Sequence, residues 1–325
     1  MIAGFGMKKL ISCVILFLIL LFIGYSVCNS YRYKIKTPMP DIEYKKSIIR
    51  DSHNLTYTLE ALRPVMGPEE LSEFIKANDK NPQIYIPNNI NRVKGVYRAN
   101  LHTHTTNSDG IATVEERMNE AQAYAQKHIK DGYMVLAITD HNTVLGAQEV
   151  IRVLERNKNK YTNIKVIPGI EIFTQYQNSK HSFYPMEIHV LTWGINPFDR
   201  FLKHEFYKKN KKDKWNRTTP DRDFDRTITT MSKYGLVGVA HPARYTEEMG
   251  KYKYPYITEM FLRYKNLNQN IKFAEIYYQA YEKTFTAQKL GNEYHKYINY
   301  INSEAVRLGI IRTGSTDAHG LSIFK

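Results

Sequence analysis

The sequence predicts an α/β fold, a TIM-like β/α barrel preceded by an N-terminal transmembrane helix. From about residue 96 onward short apolar runs alternate with segments of helical spacing, and about seven such strands suit a barrel better than an open sheet. Histidines and carboxylates fall at or just past the ends of those runs. Ahead of them, Leu10 to Cys28 is an uncharged apolar stretch of roughly 19 residues, enough to span a bilayer as a helix. The expected organisation is residues 1–30 as transmembrane anchor or uncleaved signal, 31–95 as connector with a short helix, and 96–325 as the barrel.

The N-terminal segment reads as an anchor because its exit, Gly24-Tyr25-Ser26-Val27-Cys28, is a poor cleavage site and its apolar core exceeds that of a signal peptide. Lys8 and Lys9 argue for an inside N-terminus, whereas Arg32, Lys34 and Lys36 oppose it. A start at Met7 gives the short basic head of an export signal. The expectation is a membrane-anchored protein, held through residues 10–28, whose soluble domain lies outside the cytoplasmic membrane. Both cysteines, Cys13 and Cys28, lie in this segment. A disulfide framework, a thiolate nucleophile and a cysteine zinc site are therefore excluded from the soluble part.

The connector is punctuated by Pro64, Pro68, Pro82 and Pro87, and a short helix opens at Pro68. Val96 to Thr103 is strand-like. Thr113-Val114-Glu115-Glu116 is a capping box opening a helix that runs to about His128. Gly132 to Ile138 is a buried strand, and helical spacing returns after Thr143. Ile164 to Ile172 is a strand broken by Pro168-Gly169. Glu187–Trp193, Leu236–Ala240, Phe273–Tyr278 and Ile310–Thr313 complete the strands, with helices at Asp221–Lys233 and Asn292–Leu308. Asn196 to Pro220 interrupts the rhythm, with Lys208, Lys209, Lys211, Lys212, Lys214 and Arg217 among Phe206, Tyr207 and Trp215. It reads as a basic lid, a nucleic-acid contact or a solvated loop. Tyr245 to Tyr256 is a second excursion, suited to a pocket mouth. The formal net charge of +14 favours an anionic partner.

In a strand, residues i and i+2 share a face. His102 and His104 are therefore parallel, as are Asp317 and His319. In a parallel barrel the C-terminal strand ends converge on one opening, so ligands distant in sequence can meet there. Imidazole with carboxylate suits Zn, Mn or Fe, and nine candidate ligands exceed what one ion uses. Two or three divalent ions are expected. His53, His128, His181, His204 and His295 fall outside the pattern.

Leu101-His102-Thr103-His104-Thr105-Thr106-Asn107-Ser108-Asp109-Gly110, followed by Ile138-Thr139-Asp140-His141-Asn142-Thr143, resembles the PHP (polymerase and histidinol phosphatase) superfamily. Gly169-Ile170-Glu171, His241-Pro242 and Asp317-Ala318-His319 agree with it. The resemblance covers roughly Lys94 to the C-terminus. It implies a distorted seven-stranded β/α barrel with a di- or trinuclear centre that hydrolyses phosphoesters. Carried over by position, the ligands are His102, His104, Asp109, His141, Glu171, His189, His241, Asp317 and His319, with Asp140 orienting a ligand histidine. Only Gly320 to Lys325 follow His319. That leaves the Pro68–Lys76 helix to cover that side, the barrel open there, or the chain shortened.

The expected chemistry is metal-dependent hydrolysis, with ions that lower the pKa of a shared water and neutralise phosphate oxygens. Arg244 is placed to clamp a phosphate in bidentate fashion. His241 or a bound water protonates the leaving oxygen. A phosphorylated small molecule is the first-choice substrate and an oligonucleotide end the second. A membrane-tethered inactive metal-binding module and a C–N hydrolase are the remaining alternatives.

Overall fold

The computed structural model describes residues 62–79, 98–176, 186–207, 222–242, 270–278 and 292–322. Seven strands form one sheet in chain order: β1 (Ala99–Asn100), β2 (Met134–Ile138), β3 (Ile164–Tyr176), β4 (Met186–Trp193), β5 (Leu236–Val239), β6 (Ile271–Tyr278) and β7 (Ile311–Ser315). Among the described residues six helices accompany them: α1 (Pro68–Asn78), α2 (Val114–His128), α3 (Leu145–Arg156), α4 (Arg200–Phe206), α5 (Phe224–Met231) and α6 (Asn292–Leu308). β7 returns to the β1 segment through a parallel bridge between Thr103 and Ala318. His104 N donates to Ala318 O at 3.0 Å, and Asn100 and Thr316 exchange two further hydrogen bonds. The result is a nearly closed seven-stranded barrel.

The strands are not all parallel, as alternation alone had suggested. β4 pairs antiparallel with both β3 and β5, while the other neighbours are parallel. The reason lies in the chain: only residues 177–185 separate β3 from β4, too few for the crossover that a parallel pair needs. Pro168-Gly169 does not break β3 either. Up to Pro168 the strand pairs with β2, and from Gly169 it pairs with β4. The Pro168 carbonyl accepts from Gly194 N at 2.9 Å and Ile195 N at 3.1 Å, so the dipeptide marks a change of partner. α4 also lies inside the stretch expected to be irregular, N-capped by Asp199, whose side chain accepts from the N–H groups of Phe201 and Leu202.

Strand periodicity divides the apolar residues into an outer and an inner set. Leu136, Ile138 and Val166 pack with Met118, Ala121 and Val150 of α2 and α3. Ile170, Ile172, Ile188 and Val190 pack with Phe224, Ile228 and Met231 of α5. The inner set joins Ala99, Leu101, Val135, Ala137, Ile167, Leu191, Trp193, Ala240 and Phe273 with Met66, Leu71 and Ile75. Residues from β1 through β6 meet there, so this cluster fills the barrel and α1 plugs one end of it. α1 is tied to β7 as well, because Asp79 pairs with Arg312 at 3.2 Å. Gly238 is required by this packing: a Cβ there would collide with the Phe273 ring, which stacks on Trp193.

Residues 10–28 lie outside the described residues, as do most of the basic stretch (208–221) and residues 245–256. No described helix is long and apolar enough to cross a membrane.

Candidate metal centre

Nine residues singled out in the sequence come together at the barrel end opposite α1. Four groups of side chains there have the spacing to hold a metal ion: His104, Asp109, His141 and His319; His102, His104, Glu171 and Asp317; His102, His241 and Glu275; and His141, Glu171 and His189. Only the strand-end argument needs amendment. Glu171 lies within β3 and His189 within antiparallel β4, at diagonal positions of the ladder, Glu171 being paired with Leu191. Phe173, opposite His189 in that ladder, stacks its ring on the imidazole.

Glu171 is the hub. Its Oε2 lies 3.1 Å from His102 Nε2, 3.3 Å from His104 Nε2 and 2.7 Å from His141 Nδ1. Its Oε1 lies 2.7 Å from His189 Nδ1 and 3.2 Å from His241 Nε2. One carboxylate thus faces two histidine sets with its two oxygens. Asp317 Oδ1 stands 2.9 Å from His104 Nε2 and 3.3 Å from His102 Nε2. Asp109 reaches His319 Nε2 at 3.2 Å and His141 Nε2 at 3.5 Å. All are buried except Asp109, which is half-buried, and His319, whose side chain is 35% exposed and marks the open side.

Burial opposes ionisation throughout, and the neighbours overrule it in most cases. Burial disfavours charge on His102, yet Glu171, Asp317 and Glu275 hold its pKa well above the usual value. His104 is likewise raised to about 9 against burial, chiefly by its contacts with Asp317 and Glu171. Asp109 is lowered to about 2 by His319, His141 and His104, again against burial. Glu171 and Asp317 are held well below the carboxylate range by surrounding imidazoles. His141 goes the other way: burial, then the His104 charge, bring it down to about 4. The carboxylates therefore stay ionised in a buried site and call for positive charge.

Three buried atoms test whether metal suits this donor set. His104 Nδ1, Asp109 Oδ1 and Glu171 Oε2 lack a well-aligned hydrogen bond, although imidazole nitrogens stand close to Glu171 Oε2. Such atoms are costly unless another ligand takes them up. The nitrogens of His102 and His104 also point at one another, with Nε2 atoms 3.0 Å apart. Converging lone pairs and unsatisfied carboxylate oxygens fit divalent cations with nitrogen and oxygen ligands.

The backbone is distorted at the same place. Among the described residues, Asn142, His241 and Asp317 are the non-glycine residues with positive φ, at 52°, 27° and 50°. Two are candidate ligands and the third follows His141. Strain retained at such positions is characteristic of functional sites.

Two residues escaped the sequence reading. Glu275 in β6 lies 3.2 Å from His102 Nδ1, accepts from His241 N at 2.9 Å and accepts from the Ser315 hydroxyl. Its signal was a lone carboxylate inside the apolar run Phe273–Tyr278. Arg117 on α2 is fully buried beside the site. Asp140, in contrast, does not orient a histidine. Its carboxylate accepts from Thr105 N, Thr105 Oγ1 and Ser108 Oγ, each at 2.7 Å, and so shapes the turn that delivers Asp109. Arg244 lies outside the described residues. His204 is exposed beside Glu205 and His128 packs on Tyr124, both away from the site.

Residues 100–303 match the family model of the PHP domain. The chain belongs to the PHP family. The matched range ends before β7 and so does not cover Asp317 and His319, which the geometry brings into the site as the sequence reading expected. A 5'-3' exoribonuclease of Haemophilus influenzae is 29% identical to this PHP chain over 163 residues, covering 46% of the chain and 51% of that protein. The chain thus spans about half the length of that curated relative. An amidohydrolase from Chromobacterium violaceum, with bound sulfate and no metal, superposes with a TM-score of 0.46 at 17% identity, over 69% of this chain and 88% of that one. PsfC from Pseudomonas syringae superposes with a TM-score of 0.38 at 14% identity, over 69% and 76%. PHP membership and the four donor groups together support metal-dependent hydrolase activity.

Proposed function

We propose that this PHP domain hydrolyses terminal phosphoesters using two or three divalent ions, Zn, Mn or Fe, held by His102, His104, Asp109, His141, Glu171, His189, His241, Asp317 and His319. The observation that carries this reading is Glu171, whose two oxygens face two separate histidine sets. Bound ions would lower the pKa of a water and neutralise phosphate oxygens. Glu275 fixes the ring orientation of His102 through Nδ1, leaving Nε2 turned to Glu171 and Asp317. His241, fully buried against Glu171, serves as a ligand nitrogen. His319 stands on the exposed side, next to Asp109, where substrate arrives. Arg244, three residues beyond His241, is kept as the phosphate clamp on its sequence position.

The burial of the donor residues, with His319 alone of the histidines half-exposed, favours a phosphate at the end of a molecule, so a small phosphomonoester is the first reading. An oligonucleotide end is the second, supported by the similarity to an exoribonuclease and by the +14 charge. A panel of nucleotide, sugar and amino-alcohol phosphates, read beside a 5'-phosphorylated oligonucleotide, separates them. Fast, salt-insensitive turnover of small esters supports the first, whereas oligonucleotide cleavage that falls steeply with salt supports the second. Metal-loaded protein that cleaves neither refutes both. Residues 10–28 are proposed to anchor the domain to the membrane, outside the cytoplasm, on the sequence pattern described.

A further inference from the structure

The seam between β7 and β1 carries four of the nine candidate ligands, two on each side. His102 and His104 follow β1, and Asp317 and His319 follow β7. Few main-chain hydrogen bonds close this seam; the Asn100 side chain bridges it to Thr316 below the ligands, and a buried side chain from α2 bridges it at their level. Arg117, on α2, places its Nε and Nη2 on the His104 carbonyl at 3.0 and 2.9 Å. Nη2 also donates to the Ala318 carbonyl at 3.1 Å, and Nη1 to that of Leu321 at 3.4 Å. Ala318 lies between the ligands Asp317 and His319. α2 itself is fixed by the Thr113–Glu116 capping box, directly after the Asp109-Gly110 turn.

Glu120, Asp140 and Glu116 lie near enough to favour the Arg117 charge, yet a buried guanidinium whose hydrogen bonds all go to neutral carbonyls is an expensive way to join two strands. Every hydrogen bond it makes goes to the main chain of ligand-bearing segments. We propose that Arg117 is a positioning residue, setting the distance between the His104 and Asp317–His319 segments so that His104, Asp109, His141 and His319 converge on one ion. A planar fork does this where lysine cannot, because an ammonium offers no two parallel donors to one oxygen.

The proposal rests on the metal-dependent reading above, but its readout is ion binding and needs no substrate. Mn2+ is titrated calorimetrically into the chelator-stripped full chain and its Arg117→Lys and Arg117→Gln variants. Val150→Ala, a truncation in the α2–α3 layer, serves as a control for lost stability. The expected result is loss of one bound ion, or affinity about 10- to 100-fold weaker, in both Arg117 variants. The metal-induced rise in Tm should shrink with it, while Val150→Ala keeps wild-type binding. Wild-type affinity and stoichiometry in the Arg117 variants would overturn the proposal. So would an equal loss in Val150→Ala, or failure of both Arg117 variants to fold, since each makes the residue a matter of stability alone. If wild type binds ions yet hydrolyses no phosphoester, the proposed function fails while this inference stands.

Discussion

The two halves of the barrel interior are equally buried and chemically opposite. Towards α1 the strands contribute Val135, Ala137, Ile167, Trp193 and Phe273; towards the other end they contribute His102, His104, Glu171, His189 and Asp317. Both sets are removed from water. The apolar half needs no partner beyond close packing and gains about 1.5–3 kcal/mol for each large side chain it buries. The polar half carries charge against the cost of burial, with unbonded donor atoms and positive φ at His241 and Asp317. One half therefore holds the fold, and the other is tolerated by it for the sake of a ligand.

The sharpest way to break this contrast is the double change His102→Ala/His104→Ala. It should abolish metal uptake and turnover while the far-UV spectrum of the protein stays that of the wild type. Retained ion binding, measured by elemental analysis, would show that the polar half is not the metal centre.

Next comes the apolar half. Phe273→Ala removes the ring stacked on Trp193 and should cost about 3–5 kcal/mol of stability, read by urea unfolding. Gly238→Ala, which drives a methyl into the same ring, should cost about 1–3 kcal/mol. In both, metal bound per folded molecule should remain at the wild-type value. A selective loss of metal at unchanged stability would blur the division.

Glu275→Gln is expected to weaken metal binding about 10- to 100-fold without abolishing it, because the carboxylate acts through His102. Calorimetric titration reads this directly, and full loss of binding would promote Glu275 to a ligand.

The smallest effect is on pH. His104 is raised from 6.5 to about 9 in the metal-free protein, so it contributes stability that is full below 6.5 and is lost as pH rises through 9. Asp109, lowered from 3.8 to about 2, contributes stability present above 3.8 and lost as pH falls through 2. Metal-free protein should therefore lose Tm between pH 6.5 and 9, whereas metal affinity rises over the same window because ligands must shed protons. A metal-free Tm that climbs across that window would contradict the assignment.

Much of this was legible in the chain because both periodicities are local. His102/His104 and Asp317/His319 announce themselves by i, i+2 spacing after apolar runs, and the capping box at Thr113 gives the start of α2. The reversed direction of β4 was not read, although the nine-residue link after Tyr176 carried that information. Pro168-Gly169 looked like a break because the missing N–H of proline signals lost pairing, whereas here it coincides with a change of partner. Glu275 and Arg117 were missed for another reason. Each looks ordinary in its element, and each acquires its role from a residue more than ten positions away. Burial of a charge is a tertiary property, and no sequence period encodes it.

Phosphate release from a small phosphomonoester, followed with Mn2+-loaded wild type and Glu171→Gln at equal concentration of folded protein, bears most directly on the metal-dependent phosphoesterase reading. Turnover by the wild type and its loss in the variant, together with loss of bound ions, is expected. Wild-type turnover by a Glu171→Gln protein would show that the carboxylate facing both histidine sets is not the heart of the site.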